Sequence, residues 1–137
     1  MAFDPVTDYP LGLRRPDLVR TPGGTPLERV TLAAARAGEL DATDLRATGE
    51  TLLLQAEVAR AAGRTQLAEG LERAAELTDV ADDELLAIYT ALRPGRSTAG
   101  ELETWAARLE ELGASRNAAF VREARLAYGE RNLLADG

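Results

Sequence analysis

Apolar side chains return every three to four residues through most of this chain, the spacing of one helical face. Leu27, Val30, Ala34 and Ala37 make a first such run, stopped by Gly38. Thr25-Pro26-Leu27-Glu28 precedes it in capping-box order, with Pro at the first helical position. Asp41 to Ala47 reads as a short turn of helix. Thr48 opens a second long run carrying Leu52, Ala56 and Ala59, closed by Gly63. A third begins near Thr65, with Leu67, Leu71, Ala74 and Ala75 facing inward. A fourth follows the acidic start Asp82-Asp83-Glu84, with Leu85, Ile88, Tyr89 and Leu92 as its stripe, and ends at Arg93-Pro94-Gly95. Thr98-Ala99-Gly100-Glu101 is a second capping box, ahead of Leu102, Trp105, Ala106, Leu109 and Leu112, with Gly113 as the stop. The last run, from Ser115 to Leu133, places Val121, Ala124 and Tyr128 on one face. The predicted helices are 26–37, 48–62, 65–77, 82–92, 99–112 and 115–133. No fixed-period repeat stands out, which argues against a helical solenoid.

The first 26 residues differ. Pro5, Pro10, Pro16, Pro22 and Pro26 are five of the six prolines. Each of the first four pushes its preceding residue toward extended backbone and removes a donor. Residues 1–24 are therefore expected to run extended, with a turn at Gly23-Gly24. Phe3, Tyr9, Leu11, Leu13, Leu18 and Val19 are spaced through the segment, unlike a disordered tail. It should dock, either on its own helices or on another subunit. The expected organisation is an arm over residues 1–25 and one helical domain over 26–137.

Composition supports an all-α fold. Val and Ile number seven together, against 26 Ala and 22 Leu. There is no His, Cys or Lys, and all 16 positive charges are Arg. A Ser-His-Asp triad, a Cys nucleophile, a zinc finger, a haem-ligating His, a P-loop lysine and a pyridoxal Schiff base are thereby excluded. Twenty-three acids give a net charge of −7, and the excess lies entirely beyond residue 30. An acidic body repels nucleic acid and anionic lipid. No apolar run approaches a membrane span, and the start Met1-Ala2-Phe3-Asp4-Pro5 has no signal-peptide character, so a cytoplasmic location is expected.

Little chemistry remains. Asp82-Asp83-Glu84 belongs in a helix first turn, where the macrodipole stabilises carboxylates. Glu110-Glu111 falls outside the Leu109 and Leu112 stripe and reads as a solvated face. Arg93, at a helix C-terminus, either complements exposed carbonyls or contacts a partner. Trp105 and Tyr89 read as core. No catalytic, cofactor-binding or metal-ligating residue emerges, and the chain reads as a binding or scaffolding module.

Three strings then stand in register. Asp8-Tyr9-Pro10-Leu11, Arg14, Pro16, Thr21-Pro22, Gly24 and Pro26-Leu27 make the first. Arg73-Ala74-Ala75-Glu76-Leu77, Leu86-Ala87-Ile88-Tyr89 and Ala91-Leu92-Arg93-Pro94 make the second. Asn117-Ala118-Ala119-Phe120-Val121-Arg122-Glu123 with Tyr128 makes the third. In order and spacing, over residues 8 to about 131, the chain resembles the small (gamma) subunit of adenosylcobalamin-dependent diol and glycerol dehydratases. Two positions depart from the family: Ala81 replaces an expected proline, and Thr25 stands where lysine is usual, supplying a cap.

The resemblance implies a role in radical dehydration of a 1,2-diol or glycerol to an aldehyde. It implies a large barrel subunit holding substrate and metal ions, with adenosylcobalamin between the large and medium subunits. The small subunit would pack on the large one without a catalytic residue, in a dimer of three-subunit units. The expected subunit-interface residues are Tyr9, Pro10, Leu11, Arg14, Arg93, Phe120 and Arg122. Tyr9, Pro10 and Leu11 are the physically argued anchors, combining apolar area with a stiff backbone. Some members carry a longer N-terminal extension linked to microcompartment packaging. Seven residues precede Asp8 here, so that signal is expected to be missing, leaving partner subunits to supply any such address. The competing readings are a stand-alone helical adaptor and, more remotely, a carboxylate-only enzyme.

Overall fold

The computed structural model describes residues 2–137. Among them are seven α-helices and no strand: α1 (Leu11–Arg14), α2 (Leu32–Arg36), α3 (Gly49–Ala61), α4 (Thr65–Leu77), α5 (Asp82–Ala91), α6 (Ala99–Glu111) and α7 (Ser115–Glu130). The all-α expectation holds, and the last five predicted helices form within a few residues of their expected bounds. The short turn expected within 41–47 is a 3₁₀ turn, Thr43–Leu45. The chain divides into two compact units, one ending at Thr78 and one running from Asp79 to Gly137.

The N-terminal segment corrects the extended arm. Residues 11–14 coil into α1 and Pro16–Leu18 form a 3₁₀ turn. The prolines act as starters here. Pro10 is the N-cap of α1, and Pro16 opens the next turn, where a missing N–H leaves nothing unpaired. Arg15 then clamps the segment, reaching Asp8 at 3.0 Å and Asp17 at 3.1 Å. Its hydrogen bonds hold the Asp17 carboxyl below the usual range. Further on, Thr21 and Thr25 close a turn on each other, Thr25 N–H donating to Thr21 Oγ1.

That turn also undoes the predicted 26–37 helix. The backbone of Thr25 pairs backward with Thr21, the chain enters the next turn through Pro26, and no side-chain cap bond forms there. A 3₁₀ turn, Leu27–Arg29, forms instead, and α2 starts afresh with Thr31 Oγ1 accepting from Ala34 N–H.

Each long-helix pair is a hairpin. In the first unit, α3 and α4 bury Ala56, Ala59 and Ala68 against one another, with Leu71 partly buried beside them. In the second, α6 and α7 bury Leu102, Ala106, Leu109, Ala118 and Val121. The two hairpins match position for position, fifty residues apart, which corrects the reading of a chain without internal repetition. Thr48 and Thr98 both cap their helices through the side-chain oxygen. Gly63 and Gly113 both take positive φ, +75° and +80°, which lets the chain reverse without a Cβ clash. Arg64 N–H donates to Ala59 O at 2.8 Å, and Ala114 N–H donates to Leu109 O at 2.8 Å. Even the crossing ion pair recurs with its polarity exchanged: Arg60 to Glu72 at 2.6 Å, and Arg122 to Glu110 at 2.7 Å. Two copies of a hairpin are not a solenoid, so that exclusion stands.

Two stripe assignments change. α4 turns Ala68 fully inward and leaves Leu67 49% exposed, because a close helix crossing needs the smaller side chain. α5 buries Ile88 and Ala91 and turns Leu86 and Tyr89 outward, so Tyr89 is not core. Trp105 is half-buried. The second unit is closed by its tail: Tyr128 donates to Leu92 O at 2.6 Å, and Ala135 N–H donates to Ser97 O. No helix among the described residues is long and apolar enough to cross a membrane.

Two predictions follow from this packing. A Cβ on Gly49 would sit 3.1 Å from both Ala75 O and Thr78 Oγ1. Gly49→Ala should therefore cost about 1 kcal/mol in urea unfolding, despite the better helix propensity of Ala. An equal or higher midpoint would show that the end of α4 yields. The second concerns acid. The Arg122 guanidinium hydrogen-bonds Glu110 and holds its carboxyl below the ordinary 4.5. A depressed carboxylate stabilises the fold above its unfolded value and loses that contribution as pH falls. Arg122→Gln should melt below the wild type at pH 7, with the gap closing below about pH 4.5 in thermal scans. A gap independent of pH would sink the assignment.

Candidate subunit interface

The carboxylates are occupied structurally. Asp82, Asp83 and Glu84 form the first turn of α5, as expected. Glu84 also accepts from Arg108 Nε at 2.5 Å. Glu111 pairs with Arg108 and Glu110 with Arg122 on an exposed face. Thr98 and Glu101 complete the predicted capping box reciprocally. Among the described residues, no three acidic side chains gather as a metal site would require.

Surface is what remains. A helical hairpin buries one seam and leaves its outer faces without cover. In the first unit Tyr9 is 61% exposed, Leu13 80%, Leu45 73% and Leu67 49%. In the second, Leu86, Tyr89, Phe120 and Leu126 stand 46–68% exposed. Single exposed apolar residues are ordinary, but an apolar depression is not. One such depression lies in the first unit. It is a groove of about 570 Å³ between the Tyr9–Gly12 turn and the α3–α4 hairpin. Tyr9, Pro10, Leu11 and Gly12 line it from the N-terminal segment, and Gln55, Val58, Ala59, Ala62, Arg64, Leu67 and Leu71 from the hairpin.

The residues singled out in the sequence divide between the two units. Tyr9, Pro10 and Leu11 come together at this groove. Tyr9 presents its ring outward, while Leu11 is buried and serves the fold of its own unit. Arg14 is exposed on α1, and its side chain pairs with no acid among the described residues. The adjacent Arg15, passed over in the sequence, is the partly buried clamp. Arg93 follows α5, exposed and likewise without an acidic partner. Phe120 and Arg122 lie two positions apart on α7, about 200° around the helix, and so on different faces. Phe120 is 46% exposed, whereas Arg122 is held by Glu103 and Glu110 across the α6–α7 hairpin. Its guanidinium is held even more firmly charged than usual by those two carboxylates, Glu110 foremost.

Sequence reasoning missed the hairpin side of the groove: Gln55, Val58, Ala62 and Arg64. A signal was present. Aligning Thr48–Gly63 with Thr98–Gly113 sets Gln55 against Trp105, Ala59 against Leu109 and Ala62 against Leu112. The first copy is systematically smaller along one face, which is the groove.

Comparison with known proteins agrees with this picture of a chain built to be covered. A family model described as dehydratase small subunit matches residues 5–135. The propanediol dehydratase small subunit of Citrobacter freundii is 51% identical over 130 residues, which cover 94% of this chain and 76% of that protein. The propanediol dehydratase small subunit of Salmonella typhimurium (strain LT2) is 49% identical over 130 residues, covering 94% and 75%. The exposed apolar faces, the acids tied up in caps and ion pairs, and this match across nearly the whole chain converge: the chain belongs to the dehydratase small-subunit family, and so to proteins that work beside partner subunits.

Proposed function

We propose that this chain is the non-catalytic small subunit of an adenosylcobalamin-dependent propanediol or glycerol dehydratase, and that it assembles the complex by packing on the large catalytic subunit. The observation that carries the reading is family membership over residues 5–135 in a chain that leaves large apolar side chains exposed in both units. The reaction is dehydration of a vicinal diol to an aldehyde and water. Adenosylcobalamin would supply the radical that removes a substrate hydrogen. This chain's residues do not fit that cofactor: without His there is no imidazole for cobalt, and the acids are engaged as caps and hairpin pairs. Cofactor and metal ions are therefore assigned to the large and medium subunits, in a dimer of three-subunit units. A cytoplasmic setting, or a microcompartment reached through partner subunits, accords with an acidic chain of this composition.

Within that complex the chain's contribution is surface. Tyr9, Leu67, Tyr89 and Phe120 offer wide side chains whose burial stabilises by roughly 1.5–3 kcal/mol for a large apolar group. The stand-alone adaptor reading leaves the 51% identity to a dehydratase small subunit without explanation.

Co-expression tests the proposal. The tagged chain should retain a large and a medium subunit, and dehydratase activity should appear only with added adenosylcobalamin. A chain that purifies alone, while its partners assemble and turn over equally well without it, would overturn the reading. Asp82→Ala and Glu111→Ala, made separately, should leave turnover within about twofold, since surface and cap carboxylates shift stability by about 0.5–1 kcal/mol. A hundredfold fall with assembly intact would reveal a site in this chain.

A further inference from the structure

The two hairpins allow one face to be read from the other. On α6, Glu101, Trp105 and Arg108 lie along a single face, spaced four and three residues apart. Helix α5 occupies that face. Its Leu86, Ala87, Thr90 and Ala91 border a depression shared with Glu101 and Trp105. Its Glu84 takes hydrogen bonds from Arg108 Nε at 2.5 Å and Nη2 at 3.4 Å. Helix α5 therefore runs antiparallel to α6, with its acidic first turn at the C-terminal end of α6.

The equivalent positions on α3 are Thr51, Gln55 and Val58. Thr51 is buried, and only the four-residue α1 comes up to this face, bringing Leu11 and Gly12 to the edge of the groove. Gln55 and Val58 instead border the groove, with Ala62 one turn further on. Where the second hairpin carries Trp105, Leu109 and Leu112, the first carries Gln55, Ala59 and Ala62, leaving space in place of bulk. Tyr9 and Leu67 stand exposed among its lining residues. Arg64 borders the groove at the α3–α4 turn, and its side chain forms no ion pair among the described residues. That turn is the end at which Glu84 meets Arg108 in the second unit.

We propose that this groove receives an amphipathic helix of a partner dehydratase subunit, lying antiparallel to α3 with an acidic first turn against Arg64. The inference rests on the small-subunit reading and specifies the partner surface. Three features select this occupant. The matching face of the second hairpin is bordered by the ten-residue α5, whereas in the first only the four-residue α1 stands across the groove. The unpaired Arg64 calls for carboxylates, which a helix N-terminus accommodates best. The chain's own helix of that description, α5, is already engaged on α6 through Glu84, so the occupant comes from another polypeptide. A helix as long as α5, ten residues, spans about 15 Å, enough to run beside α3 from Gln55 to the turn.

The test rebuilds the second hairpin's face on the first. Gln55→Trp with Ala62→Leu fills the groove at two exposed positions. Co-expressed with the partner subunits, this variant should keep its circular dichroism spectrum and melting profile. Its association with them should weaken by about tenfold or more, the scale of losing a buried anchor. Arg64→Glu, exposed and folding-neutral, should weaken association several-fold, less so at high salt. A photo-crosslinker, Leu67→p-benzoylphenylalanine, should capture one helical segment of a partner subunit. Undiminished association of both the filled and the charge-reversed variants overturns the inference, as does a crosslink to a second copy of this chain. If the wild-type chain fails to associate with the partner subunits at all, the small-subunit reading itself fails. Wild-type association with unaffected variants refutes the groove alone.

Discussion

The close crossing of two helices on alanine is the constraint from which the rest of this molecule follows. Ala56 and Ala68 in one hairpin, and Ala106 and Ala118 in the other, are at most 2% exposed. Side chains that small let helix backbones approach, but each removes little area from water. At roughly 0.8 kcal/mol per buried CH₂, an alanine seam contributes far less than a leucine one. The larger apolar residues consequently project elsewhere. Leu67 is half-exposed beside the fully buried Ala68, and Tyr89 is exposed beside the buried Ile88. A chain that crosses its helices on alanine and leaves Leu67, Leu86 and Tyr89 about half or more exposed has apolar area still to bury, as expected of a subunit.

The two units share one hairpin plan and differ in what packs around it. Both hairpins keep the threonine cap, the positive-φ glycine and the crossing arginine–glutamate pair. The second carries more bulk, Leu102 and Leu109 being fully buried, and α5 lies against its outer face through Glu84 and Arg108. The first kept small residues and is flanked by the Arg15-clamped N-terminal segment, with a groove left between them. The crossing pairs have exchanged polarity, so what the two hairpins share is the electrostatic cross-link itself. Its direction was free to change, because a pair of opposite charges is symmetric in energy when its ends are swapped.

The ion pairs and caps of this chain tie helices together. Four of its acids serve geometry: Glu84 holds α5 on α6, Glu101 closes a cap, and Glu103 and Glu110 fasten Arg122. Each exposed pair is worth little alone, and together they set the register of helices whose apolar seam is thin. In the proposed complex such a chain needs shape more than chemistry, which accords with a composition dominated by Ala, Leu, Arg and Glu.

The sequence by itself determined the helices, because caps, glycine stops and three-to-four spacing are local signals. Thr48, Thr98, Gly63 and Gly113 mark four ends correctly with no tertiary information. The same local signals determined what chemistry is impossible, since absent side chains stay absent in any fold. Tertiary structure decided what local rules leave open. Thr25 has the right neighbours for a cap but bonds backward to Thr21, a competition settled by the turn at Gly24. The prolines of the first segment permit both extended backbone and helix starts, and the Arg15 ion pairs with Asp8 and Asp17 accompany the second. Which stripe residue turns inward depended on how closely two helices approach, so Ala68 displaced Leu67. The groove beside α3 became visible only when one hairpin was laid against the other, because a missing side chain acquires meaning only where a packed neighbour shows what could have filled it.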